Sequence, residues 1–480
     1  MGQEIAGRHF DGSDFRAFAR RLEEETRLLE SYVSEGRLST VHGSAGFELE
    51  AWLVDQFGRP NPINAQFLAA GDNPLVTPEL SRFNVELNST PVRLGGGALG
   101  AMYSELEANW KRCADVAASL GGALVMIGIL PTVREEMLTL ENMSGLERYR
   151  ALNEQVLRMR RGRPLSLDIE GIDQHLRTSH SDVMLEAATT SFQLHLQLAA
   201  ERAESYFNAA VALSAPMVAI AANSPLLFGK RLWMETRIPL FEQAVQVGGF
   251  HGAQFGPVRR VTFGDGYAGP SLLGFYRDNL AHYPALLPAD LGQPPERFAH
   301  LRLHNGTIWR WNRPLIGFDA DGTPHLRLEH RVMAAGPTVI DTIANAALFF
   351  GAVHSLATDV PQMKQRLPFF RARDNFYRAA RLGLRAEVQW FDGRRGPLTE
   401  LIRREILPLA RQGLEALECD RDHIDAYLGI IRERLDNGQT GAAWQLSFVE
   451  RAGLDLEGLV QYYRDLQDSG QPVHRWPRIN

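Results

Sequence analysis

Gly46-Phe47-Glu48-Leu49-Glu50 alternates apolar with acidic side chains. At a period of two, Phe47 and Leu49 share one face of a strand, and Glu48 and Glu50 share the other. Three further stretches read the same way. Phe83-Asn84-Val85-Glu86-Leu87-Asn88 sets Asn84, Glu86 and Asn88 opposite its apolar residues. Phe192-Gln193-Leu194-His195-Leu196-Gln197 presents Gln193, His195 and Gln197, and Leu326-Arg327-Leu328-Glu329-His330-Arg331 presents Arg327, Glu329 and Arg331. An amphipathic strand commonly turns such a face to water. Solvent faces favour Lys, Ser and Thr, however, whereas these four carry Glu, His, Gln, Asn and Arg and no Lys. They read as the floor of one site.

If Glu48, Glu50, Glu86 and Glu329 converge there, two carboxylates about 4 Å apart repel by roughly 4 kcal/mol at an effective dielectric near 20, so cations must accompany them. Oxygen ligands with a single imidazole and no thiolate suit Mg²⁺, with Mn²⁺ as a substitute, better than Zn²⁺. Hard divalent ions beside arginines are what a site handling nucleotide phosphates requires.

The surrounding chain sets the fold class. Strand-like runs occupy 45–54, 82–89, 123–130, 190–198, 302–311 and 325–332, and helical patterns occupy 13–35, 99–120, the stretch after Pro337, and much of 361–437. Strands separated by unequal helices and long loops predict an α+β fold rather than a regular βαβ winding. Gly95-Gly96-Gly97-Ala98-Leu99-Gly100 matches the G-x-G-x-x-G pattern. The strand before it is polar on one face, which argues against a dinucleotide site and for a turn. The most apolar stretch, 209–222, is too short to span a bilayer and contains Pro216, so a buried helix is expected.

With 51 basic against 57 acidic residues, the chain has no electrostatic reason to bind nucleic acid or an anionic membrane. Two cysteines, Cys113 and Cys419, exclude a disulfide framework or a cysteine-built zinc site. The N-terminal stretch lacks the apolar core of a signal peptide, and a cytoplasmic location is expected.

Several of these runs, in this order, resemble the type 2 glutamate–cysteine ligases, or carboxylate–amine ligases, of the glutamine-synthetase-like superfamily. The resemblance rests on Gly46–Glu50, Asn84-Val85-Glu86-Leu87, Glu147-Arg148-Tyr149, Gln193-Leu194-His195, Ala221-Ala222-Asn223-Ser224-Pro225 followed by Arg237, and Leu328-Glu329-His330-Arg331. It implies a curved, mostly antiparallel sheet forming a funnel, with helices packed outside and a helical C-terminal part. The chain is expected to divide into an N-terminal helical extension over 1–40, which departs from the family pattern, a catalytic domain over 41–360 and a C-terminal segment over 361–480.

By the same resemblance, Glu48, Glu50, Glu86, His195 and Glu329 hold Mg²⁺, with Glu329 and Arg331 as the catalytic pair. Arg331, Arg313 and Gln193 face ATP, while Arg148, Tyr149 and Arg237 face the amino acid. The expected reaction is ATP-dependent amide formation from an amino-acid carboxylate and an amine through an acyl phosphate, by an enzyme free to form homo-oligomers. Gly128-Ile129-Leu130-Pro131, Trp309-Arg310-Trp311-Asn312-Arg313 and the extra lengths at 159–186 and 248–295 depart from the family pattern. Two other readings use the same carboxylates: a metal-dependent phosphatase or hydrolase, and a non-catalytic nucleotide-binding or scaffold relative.

Overall fold

The strand that carries the first acidic pair, Ser44–Val54 (β1), is hydrogen-bonded to four others. The computed structural model describes residues 4–478 apart from 6, 8, 248–258 and 360–361. In chain order the sheet comprises β1, Val76–Pro78 (β2), Asn84–Asn88 (β3), Val92–Arg93 (β4), Ala123–Val125 (β5), Ser191–Leu198 (β6), Asn312–Phe318 (β7) and Pro324–Ala334 (β8). The spatial order is β7-β8-β6-β1-β3-β2, with β4 and β5 also paired to β1. All these pairings are antiparallel, and the sheet curls into a half-barrel.

Period-two alternation sorts the side chains of each strand. Phe47, Leu49, Ala51 and Leu53 of β1, Val85 and Leu87 of β3, the four apolar residues of β6, and Leu326 and Leu328 of β8 enter one core. Trp52 and Val54 point the opposite way into a second core with Phe83, against which Trp52 stacks at 5.4 Å. Burial on both faces leaves β6 without an exposed residue.

The larger core lies between the sheet and a helical layer. Numbered here are Gly12–Ser34 (α1), Ala98–Ser119 (α2), Glu147–Met159 (α3), Ala200–Ile220 (α4), Arg237–Ala244 (α5), Leu273–His282 (α6), Ala299–Gly306 (α7), Val339–Asp359 (α8), Leu407–Ala416 (α9) and Arg421–Asn437 (α10). The expected buried helix is α4, enclosed continuously from Tyr206 to Ile220. Among the described residues one helix segment, Val339–Thr358 of α8, is long and apolar enough to cross a membrane, and 83% of it is buried in the protein core. Helices α4, α9, α10 and α2 surround it. The α8–α9 crossing is close because Gly351 and Gly413 face each other there: a Cβ on either would lie about 2 Å from a carbonyl oxygen of the other helix. Trp444, 0% exposed, packs with Phe448, Tyr462, Tyr463 and Trp476 in the second core.

One local expectation changes. The run at 302–311 is not one strand: α7 covers its first half, and only Trp309–Arg310 is extended, pairing in parallel with Val261–Thr262. The N-terminus of α7 is stabilised by Glu25 of α1, which accepts from Leu301 N–H at 2.8 Å, a partner too remote in sequence to be read from spacing. The extra length at 159–186 contains a hairpin, Leu165–Glu170 with His175–His180. The part of the 248–295 segment at 248–258 lies outside the described residues. The glycine run forms a turn that packs on 417–420: Gly96 N–H donates to Glu418 O at 2.8 Å, and Asp420 N–H to Gly96 O at 2.9 Å. Gly96 N–H is so engaged and is not free to bind a phosphate.

Candidate active site

Antiparallel register carries the polar faces of four strands to one place. Glu50 lies opposite Glu86, Glu48 opposite Gln193, Glu329 opposite His195, and Arg313 opposite Glu329. Directly opposed residues share a face, so the concave side gathers these groups. Donor atoms of Glu48, His195 and Glu329 lie within 4.8 Å of one another, and so do those of Glu50, Glu79 and Glu86.

Each carboxylate is oriented by neighbours. Glu50 accepts from Ser191 N–H (2.7 Å), Ser191 Oγ (2.9 Å) and Gln193 Nε2 (2.9 Å). Glu86 accepts from Asn88 Nδ2 at 3.0 Å and Thr77 Oγ1 at 3.3 Å. Arg313 grips Glu329 with both arms of its fork, at 2.7 and 2.9 Å. Arg331 pairs with Glu329 at 3.2 Å and donates to Gln193 Oε1. His195 Nε2 stands 3.3 Å from Glu48, yet both ring nitrogens are buried without a hydrogen-bond partner.

The electrostatics divide the site. Burial pushes Glu86 up to about 7, with Glu48 and Glu50 adding repulsion. Burial, then Glu86, Glu50 and Glu186, drive Glu79 well above the carboxylate range. Glu186 is pushed up to about 8 by burial and by Glu50, against the pull of Arg331. Glu329 is buried too, but Arg313 and Arg331 hold it at about 2. The carboxyls on the Glu50 side therefore crowd one another, while Glu329 is neutralised by arginine. Two trios of hard donors, one with an imidazole that has buried, unpartnered nitrogens, fit divalent cations.

The family model of glutamate–cysteine ligase family 2 matches residues 44–257 and 300–462, most of the chain. The chain belongs to this family. Family membership makes the protein a ligase. Similar solved structures include a glutamate–cysteine ligase from Francisella tularensis in complex with AMP, at 11% identity and a TM-score of 0.52, covering 92% of this chain and 91% of that one. Another is a bifunctional glutathione synthetase from Pasteurella multocida, at 12% identity and a TM-score of 0.50, covering 92% of this chain and 55% of that one. At such identities the likeness is one of fold. A comparison with curated protein sequences gives no match.

Within this ligase-family fold, Glu48, Glu50, Glu86, Gln193, Glu329, Arg313, Arg331, Arg148 and Tyr149 line one cavity, with His195 against Glu48 at its floor. Arg148 donates to Tyr149 Oη at 2.8 Å and lies over the Tyr149 ring at 4.7 Å, both on α3. Arg237 is not among the lining residues. It is 2% exposed at the start of α5, pairs with the buried Glu235 at 3.3 Å, and donates from Nη2 to Val332 O at 2.6 Å and Arg331 O at 3.2 Å. Those carbonyls lie where the β8–β6 register shifts, between His330 and Met333.

Sequence reading did not assign Glu79, Glu186, Tyr276, Arg302 and Arg327, all of which line the cavity. Arg327 was visible on the polar face of its strand. Glu79 follows a three-residue strand and Glu186 opens a single 3₁₀ turn, where no periodicity exists to mark a side.

Proposed function

We propose that the protein is an ATP- and Mg²⁺-dependent carboxylate–amine ligase that activates an amino-acid carboxylate as an acyl phosphate and couples it to an amine. The observation that carries the reading is the pair of donor trios in one cavity with Arg331, within the fold of a ligase family: Glu48, His195 and Glu329 are buried, and Glu50 and Glu79 are half-buried beside the buried Glu86. The AMP held by the Francisella tularensis relative supports an adenine nucleotide as co-substrate.

A carboxylate is a poor electrophile because its leaving group would be oxide. In the proposed reaction one of its oxygens attacks the γ-phosphorus of ATP and ADP leaves. The amine then attacks the acyl carbon, phosphate departs with the C–O bonding pair, and the nitrogen loses a proton. Glu48, His195 and Glu329 would hold one Mg²⁺ and Glu50, Glu79 and Glu86 a second; when bound, the ions offset phosphate charge and favour in-line transfer. Arg331, fixed by Glu329 and Gln193, presents its guanidinium to the phosphoryl group. Arg313 keeps Glu329 ionised and oriented. Arg148 and Tyr149 shape the acidic end, where the amino acid would sit. Arg237 braces the backbone that carries Arg331. No side-chain nucleophile is required, which agrees with two buried cysteines.

The test incubates the protein with ATP, Mg²⁺, hydroxylamine and single amino acids, beginning with glutamate, the family's namesake acid. Hydroxamate and ADP formed together with one acid support the reading. Phosphate-ester hydrolysis without ATP would replace it with the phosphatase reading, and nucleotide binding without ADP release would replace it with the non-catalytic one.

A further inference from the structure

One wall of the cavity is apolar and has no part in the chemistry described above. Leu152 of α3, Phe241 of α5, Val245 just past the end of α5, and Trp309 all line it. Leu152 lies four residues after Arg148 and three after Tyr149, so these side chains neighbour one another on α3. The rings of Phe241 and Trp309 stand 6.1 Å apart. Tyr149 and Trp309 both pack on the second core, to which Leu152 belongs. Three elements thus meet in one panel.

Register places this panel at the Arg331 end. Arg313 lies opposite Glu329 and Leu315 opposite Arg327, while Trp311 O accepts from Arg331 N–H at 2.9 Å. The chain before Asn312 therefore leads away from Arg327, and Trp309 stands on the Arg331 side. Helix α5 agrees: it starts at Arg237, which holds Arg331 O, and Phe241 follows about one turn later. The 3₁₀ turn Glu186–Ala188 packs against α5 and sets Glu186 in the same stretch of cavity. Glu186 is half-buried, and among the described residues no hydrogen bond or ion pair engages its carboxylate.

In the ligase reaction, ions and arginine handle the phosphoryl group and the acid's carboxylate. A panel with two aromatic rings does neither, and gains only by covering apolar surface on a substrate. The amine reaches the acyl carbon where Arg331 faces the phosphoryl group, at the end this panel walls. The small side chain of cysteine covers little of such a surface. An unengaged carboxylate beside the panel attracts a protonated amine.

We propose that the amine substrate bears a bulky apolar group seated by Leu152, Phe241, Val245 and Trp309, and that Glu186 draws its ammonium head. An apolar α-amino acid and the corresponding simple amine share this chemistry. The inference rests on the ligase reading. The ammonium gives one proton to solvent before attack; the C–N bond then forms and the acyl C–O bond breaks, as above.

Once the hydroxamate assay has identified the acid, hydroxylamine is replaced in turn by cysteine, alanine, leucine, phenylalanine, 3-methylbutylamine and phenethylamine. ADP release gives the rate, and mass spectrometry identifies the amide. At least one bulky apolar amine should exceed cysteine and alanine by about tenfold or more in kcat/KM. Leucine and phenylalanine against their two decarboxylated counterparts decide whether a carboxylate accompanies the apolar group. Phe241→Ala and Trp309→Ala should lower that kcat/KM by about tenfold or more, and should affect hydroxylamine, which has no side chain, far less. Glu186→Gln should raise the KM for the apolar amine. Preference for cysteine, or no coupling of any apolar amine, overturns the proposal. So do folded Phe241→Ala and Trp309→Ala proteins that lose both rates equally or raise only the KM for ATP, and a Glu186→Gln protein with the wild-type KM for the amine. Wild-type protein that forms neither ADP nor hydroxamate removes the ligase reading itself, a failure visible before any amine is compared.

Discussion

Replacing Arg237 by Met separates two roles for a buried arginine. In the structure two of its guanidinium nitrogens are engaged: Nε faces Glu235 at 3.3 Å, and Nη2 serves Val332 O and Arg331 O. Glu235 is 0% exposed. Removing one member of a buried ion pair costs about 3–5 kcal/mol, since the other charge stays uncompensated. Two factors move the figure in opposite directions. Glu235 keeps Asn223 N–H at 2.9 Å and Ser224 Oγ at 2.6 Å, and burial already raises its pKa, so it can protonate. Against this, each carbonyl stripped of its donor adds a penalty of about 1 kcal/mol. The net expectation is a loss of about 3–5 kcal/mol in urea unfolding, with kcat falling because the backbone under Arg331 shifts. Arg237→Lys should recover only part, since an ammonium does not reproduce the fork. An unchanged unfolding midpoint with a raised KM for the acid would refute the bracing role and make Arg237 a substrate contact.

Glu50→Gln removes a ligand charge but keeps the side chain's shape. It should abolish hydroxamate formation while circular dichroism stays native, and retained turnover would remove Glu50 from the metal set. Gly351→Ala places a methyl 2.1 Å from Ala410 O at the α8–α9 crossing and should destabilise the fold by about 1–3 kcal/mol or more, read as a lower unfolding midpoint. His304 is held neutral because burial pushes its imidazole down to about 4 from 6.5. The unfolded chain takes up that proton first, so stability present above pH 6.5 is lost as pH falls toward 4, by about 3 kcal/mol for this group. A His304→Gln variant should show a flatter stability profile across that window, measured by urea unfolding at each pH.

How much of this was legible in the sequence depended on periodicity. Glu48, Glu50, Glu86, His195 and Glu329 sit on strands, where alternation fixes a face, and an antiparallel sheet then aligns the faces by register. Glu79 and Glu186 lie outside any repeating pattern, so nothing local marks them as facing the cavity. Arg302 was hidden for another reason. Leu301 and Leu303 alternate as in a strand, and the helix that forms instead depends on Glu25, which lies on α1 far earlier in the chain. Arg237 shows the converse: its place after the Ser224-Pro225 turn is plain in the sequence, but its partners Val332 O and Glu235 are not.

The claim beneath all of this is that the two acidic trios hold divalent ions side by side. Anomalous diffraction from crystals grown with Mn²⁺ and ADP tests it most directly. The account predicts two manganese peaks, one ligated by Glu48, His195 and Glu329 and the other by Glu50, Glu79 and Glu86. Bound ADP with neither trio occupied by manganese would contradict it.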